Sequence, residues 1–77
     1  MSSNYRLVCR KLKKKVWIGQ GWVSGMDSLY IDERPTMLAL EKFLQDTYGH
    51  MLELVNSDYD ETLEDYEEVV VNEVESP

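Results

Sequence analysis

From Tyr5 to Leu12 the chain alternates, with Tyr5, Leu7 and Cys9 on one side and Arg6, Val8 and Arg10 on the other. Period-two patterning with aromatic and β-branched residues predicts a strand with one wet face. Lys13 to Lys15 break the pattern, and Val16-Trp17-Ile18 predicts a second short strand. The linking lysines lack the Asn-Gly or Asp-Gly of a tight hairpin, so the turn type stays open. Gly19, Gly21 and Gly25 read as a flexible connection around Trp22 and Val23. Leu29-Tyr30-Ile31 predicts a third strand, set between Asp27-Ser28 and Asp32-Glu33.

A helix is predicted over residues 36–48. Pro35 suits a first turn, where no backbone donor is needed, and Thr36 is placed to cap from just inside. Met37, Leu40, Leu44 and Tyr48 recur every three or four residues, Phe43 widens the stripe, and Glu41, Lys42, Gln45 and Asp46 fill the other side. Met37, Leu40, Phe43 and Leu44 are therefore expected to pack on the sheet. Gly49 is expected to stop the helix in a left-handed cap, and Met51 to Val55 predicts a fourth strand. Three strands, a helix and a strand make an α+β fold, a small antiparallel sheet with one helix on a face.

The segment from Ser57 supports two readings. Tyr59, Leu63, Tyr66, Val70 and Val74 follow helical spacing, and Ser57 with Asp60 resembles a capping box. Val69-Val70-Val71 favours a strand instead, and crowded carboxylates repel. The chain thus divides into an α+β domain over 1–57 and an acidic segment over 58–77, either amphipathic (helix or strand) or disordered until bound.

Seventy-seven residues make one domain, of a size that buries only roughly 60% of its unfolded surface. The single cysteine, Cys9, excludes an intramolecular disulfide, and a lone thiol suits a reducing cytoplasm. No apolar run reaches the ~20 residues of a membrane helix, and the N-terminus lacks a signal peptide's apolar stretch. A soluble cytoplasmic protein is expected. Smallness favours a homodimer, with Trp22 and Val23 as the contact.

Charge is sorted along the chain. Residues 1–26 hold Arg6, Arg10, Lys11, Lys13, Lys14 and Lys15 and no acid, while residues 58–77 hold nine acids and no base. The three successive segments carry +6, −4 and −9, giving −7 overall. Such a chain neutralises itself on folding or offers opposite poles to partners.

Chemistry-bearing motifs are absent. Cys9 and His50 supply two of the four ligands of a structural zinc site and have no paired spacing. A small core residue and a helix-end cap are the plainer roles. Gly19-Gln20-Gly21 lacks the Lys-Ser/Thr of a phosphate loop, and the run from Asp58 to Glu68 lacks the EF-hand order. No metal, no cofactor, no catalytic residue and no enzymatic activity are expected.

Two binding classes remain. In size and charge the chain resembles the small acidic inhibitors made by phages and other mobile elements, anti-CRISPR and other anti-defence proteins among them. That resemblance implies a non-enzymatic regulator that occupies a basic, nucleic-acid-binding groove of a larger protein. Its contact residues would be Asp58, Asp60, Glu61, Glu64, Asp65, Glu67 and Glu68, with Tyr59 and Tyr66 as anchors. The alternative is a module for nucleic acid or a nucleotide-like ligand, built from Arg6, Arg10, Lys11, Lys13, Lys14 and Lys15 with Trp17 and Trp22 as stacking platforms, in a homodimer groove. The net charge of −7 opposes it.

Overall fold

A computed structural model of the chain describes residues 2–71. Strand β1 (Ser3–Cys9) runs antiparallel to β2 (Lys14–Trp22), which turns back into β3 (Gly25–Leu29). Helix α1 (Arg34–Asp46) follows, and β4 (Glu53–Asn56) then pairs antiparallel with β1. Two 3₁₀ turns, Ser57–Tyr59 and Glu61–Asp65, lead to the two-residue strand β5 (Glu67–Glu68), parallel to β2. The sheet order is β3-β2-β1-β4, and β5 extends the β3 side of β2 along its Lys14–Lys15 end. The α+β class is the one expected, with a helix on one face of an antiparallel sheet, but the sheet has a fifth strand, the short parallel β5, beyond the four expected.

The alternation of β1 does its expected work. Leu7 pairs across with Val16 and Leu54, so these three share the helix-side face. Cys9, Val16 and Ile18 form a core with Ala39 and Phe43 of α1 and with Val69, which follows β5. Cys9 is thus a buried core residue. The second face is not the wet one predicted. Val8 points away from the helix side yet is fully buried, because residues 57–68 cross that face as an acidic strap.

Several boundaries differ from the sequence reading, each for a tertiary reason. β2 continues through Gly19 and Gly21, read above as a flexible link. A Cβ at Gly19 would lie 2.1 Å from the Ser28 carbonyl oxygen, and one at Gly21 would lie 2.3 Å from that of Gly25. These glycines let β3 approach closely and are strand residues. The third strand consequently starts four residues and ends two residues earlier than expected, after a turn at Val23-Ser24. In the first hairpin, Lys13 takes the left-handed conformation (φ 55°) that the open turn required.

Helix α1 starts two residues before the expected position, with Pro35 in its first turn, and no side chain caps it, Thr36 included. It ends at Asp46, where the Thr47 amide and hydroxyl both donate to the Phe43 carbonyl, at 3.0 and 2.7 Å. Gly49 has the expected positive φ, 88°. The buried stripe is rotated from the predicted one. Ala39, Phe43 and Thr47 face the sheet, Leu40 flanks them, and Met37 and Leu44 are each 44% exposed. The apolar stripe of the sequence is wider than the surface the sheet offers, so half of it stays outside.

Phe43→Ala is expected to cost about 3–5 kcal/mol, whereas Leu44→Ala and Met37→Ala should stay within about 1 kcal/mol of the parent. Denaturant melts of the three variants check this ordering, and a large loss in Leu44→Ala would reverse the assignment of the helix face.

Candidate functional site

The basic hairpin and the acidic strap meet residue by residue. Arg6 Nε donates to Glu68 Oε1 at 2.9 Å, and its Nη1 donates to the Ser57 hydroxyl at 2.6 Å. Arg10 spans Glu53 Oε1 at 3.1 Å and Asp60 Oδ2 at 3.0 Å, and also donates to the Thr62 hydroxyl. Lys13 pairs with Asp65 at 3.5 Å and Lys14 with Glu67 at 2.8 Å, while Lys15 Nζ donates to the Leu63 carbonyl at 2.9 Å. Asp58 accepts from both the backbone and the side-chain amide of Asn4.

Local sequence explains the strap's shape. The Asn56 side chain accepts from the Asp58 amide, and the Asp60 side chain accepts from the Thr62 amide. These caps start two successive 3₁₀ turns, and the extended backbone of Asp60 between them (φ −118°, ψ 94°) interrupts the single amphipathic helix that the spacing allowed. Leu63 is buried, Tyr66 is partly buried and Tyr59 stays 70% exposed. Val74, the last member of the predicted stripe, lies outside the described residues. Leu63 and Val69, which follow the division expected between 57 and 58, are both buried.

Glu68 is the junction of the two elements. β5 bonds β2 through the amides of Glu67 and Val69, which donate to the carbonyls of Lys13 and Lys15. β3 joins the same edge only from Ile18 onward, where Tyr30 donates to its carbonyl. Between them the Trp17 amide has no backbone acceptor, and Glu68 Oε2 takes it at 3.2 Å. One carboxylate thus satisfies a strand amide and a guanidinium together.

The electrostatics follow from these contacts. The Arg10 pKa is raised further above its ordinary value by the Glu53 carboxylate, by Tyr66, whose ring lies 5.9 Å from the guanidinium, and by Asp60. The bond from Glu67 raises the Lys14 ammonium. The Thr62 hydroxyl and then Arg10 hold the Asp60 carboxyl below its usual range.

Of the acids expected to face a partner, Asp58, Asp60, Asp65, Glu67 and Glu68 are engaged within the molecule. Glu61 and Glu64 make no ion pair among the described residues, and Tyr59 stands beside them in sequence. Of the basic set, Arg6, Arg10, Lys13, Lys14 and Lys15 are bonded to the strap, and Lys11 is exposed without an ion pair among the described residues. The tryptophans are apart in role. Trp17 donates Nε1 to Asn4 and sits against Tyr30 at 5.2 Å between ring centroids, whereas Trp22 is exposed at the far end of β2. Among the described residues, no three His, Cys, Asp or Glu side chains cluster as a metal site, and no helix is long and apolar enough to cross a membrane.

No protein-family model, curated protein or solved structure matches the chain.

Asn4 and Thr62 are not singled out by the sequence, and Ser57 is read there only as a helix cap. Their only signal is a small polar residue beside a charged or capping one, which is too common to select them.

Glu68→Ala strands the Trp17 amide and the half-buried Arg6 charge, and is expected to cost about 1–3 kcal/mol. Asp65→Ala breaks only the exposed Lys13 pair and should cost less than about 1 kcal/mol. Chemical denaturation separates the two. Because the Asp60 pKa is depressed on folding, its contribution is complete above the unfolded value and disappears as pH falls through the folded one. The strap should therefore loosen in acid, and an NMR titration of the Asp60 carboxyl should show a midpoint below that of free aspartate.

Proposed function

We propose that the protein is a non-enzymatic regulator that binds a basic groove of a larger protein through the carboxylates left over after the basic hairpin is neutralised. One observation carries this reading: Arg6, Arg10, Lys13 and Lys14 are paired with carboxylates and Lys15 with the Leu63 carbonyl, leaving Lys11 alone of the hairpin's cations, while Asp27, Asp32, Glu33, Glu41, Glu61 and Glu64 have no ion pair among the described residues. The surplus negative charge is therefore outward and available for long-range steering of a cationic partner. Tyr59, exposed two residues before Glu61 in the chain, supplies the amphipathic ring that interface hot spots favour.

The same arrangement weighs against nucleic acid. A phosphate backbone would have to displace the carboxylates already held by Arg6, Arg10, Lys13 and Lys14, and the two tryptophans do not form one stacking platform with them. Competing for a groove that holds nucleic acid is the mode of action that the acidic surface suits, and inhibition is its consequence.

Fluorescence anisotropy against an arginine-rich peptide and against labelled single-stranded DNA and RNA tests the reading. The peptide is expected to bind with affinity that falls steeply with salt, and the double variant Glu61→Lys/Glu64→Lys should slow its association. The nucleic acids are expected not to bind. Binding of DNA or RNA with no binding of the peptide would transfer the function to the basic hairpin.

A further inference from the structure

The sheet has an open edge at β4, and hydrogen-bond alternation says which of its backbone groups face outward. Lys13 and Lys15 accept from β5, so Lys14 and Val16 turn their backbone groups to β1. Their partners Cys9 and Leu7 are thereby committed to β2, leaving Arg6 and Val8 to bond β4 through Val55 and Glu53. Leu54 and Asn56 consequently direct N–H and C=O to the open side. This edge is short and carries one charge, Glu53, but it has no proline, no lysine and no bulge to block strand addition. The β3 edge differs: its pairing with β2 contains a register shift, and Asp27 stands there.

We infer that β4 is the surface through which a second copy of this chain pairs, strand to antiparallel strand, about a two-fold axis at Leu54. The edge is self-complementary in that register. Leu54 faces its own counterpart as a hydrogen-bonded pair, exchanging two N–H···O bonds, and its side chain meets the same side chain on the helix-side face. Glu53 falls opposite Val55 of the second copy, so no like charges confront each other across the strands.

The self-complementary register selects this occupant, and local charge permits it. Two copies of a −7 molecule repel over most of their surface, so they can meet only where charge is balanced. Around β4 the cations Arg10 and Lys11 balance Glu53 and Asp60. Within that patch Leu54 is 48% and Met51 is 90% exposed. A cavity of about 580 Å³, lined by Arg10, Lys11, Met51, Leu52 and Glu53, opens beside the strand and gives the second copy's edge room to seat.

Sedimentation equilibrium of the full chain is expected to give twice the 9.0 kDa chain mass, dissociating on dilution. Leu54→Pro removes an amide that faces away from β1, so the protomer keeps its fold by circular dichroism while the dimer is lost. Trp22→Ser leaves the dimer intact. Backbone hydrogen exchange provides a second reading on the unaltered protein: the Leu54 amide gains protection as concentration rises, whereas those of Glu53 and Val55 are protected throughout. A single-chain mass at every concentration overturns the inference. So does a dimer that survives Leu54→Pro, or a Leu54 amide whose exchange ignores concentration.

Discussion

The Glu68 carboxylate holds the molecule's two halves in register. β2 has one long edge shared by two strands that do not meet, and the amide of Trp17 falls in the gap. An unmet strand amide in a partly buried position is costly. Glu68 resolves that cost while also neutralising Arg6, which reaches across the sheet face and ties in Ser57. Because β5 can sit in only one register with this bond made, the next residue, Val69, is delivered into the core beside Val16 and Phe43.

The strap matters most for burial. A chain of 77 residues struggles to enclose a core, and one helix covers one face of the sheet. By crossing the opposite face, residues 57–68 bury Val8 and Leu63 and turn a single-sided sheet into a double-sided one. The exposed ion pairs that line it are individually weak, since solvent and salt screen them. Their value lies in specificity. Each places a particular carboxylate over a particular cation, and apolar anchoring by Leu63 and Val69 supplies the affinity.

This arrangement also shapes how the surface presents itself. Opposite poles in the linear chain become one internally compensated region, and the remaining carboxylates are distributed over the rest of the surface. Around β4, by contrast, charges balance locally and apolar side chains stay outside. The molecule therefore has two different surfaces, one acidic and repulsive to itself, one neutral and apolar with a free strand edge.

Local patterning in the sequence was enough to determine the α+β class, the presence of the first strand and the helix-side placing of Leu7 and Cys9, the helix, the left-handed Gly49 and the buried role of Cys9. These depend on periodicity and on intrinsic backbone preference, which neighbours in sequence supply. Charge sorting was equally legible, and it named the cations and carboxylates that meet, though not which meets which. Tertiary structure alone decided the rest. Gly19 and Gly21 are strand residues because β3 passes too close for a Cβ, a fact about a partner strand invisible in the local sequence. Ala39 and Phe43 face the sheet, with Met37 and Leu44 outside, because the sheet covers only part of the apolar stripe. The helical spacing from Tyr59 onward gave way to two 3₁₀ turns because Asp60 is extended between them and starts the second, while the hairpin's cations sit along the face they cross. Long-range pairing, which no periodicity encodes, placed the acidic strap over the basic hairpin.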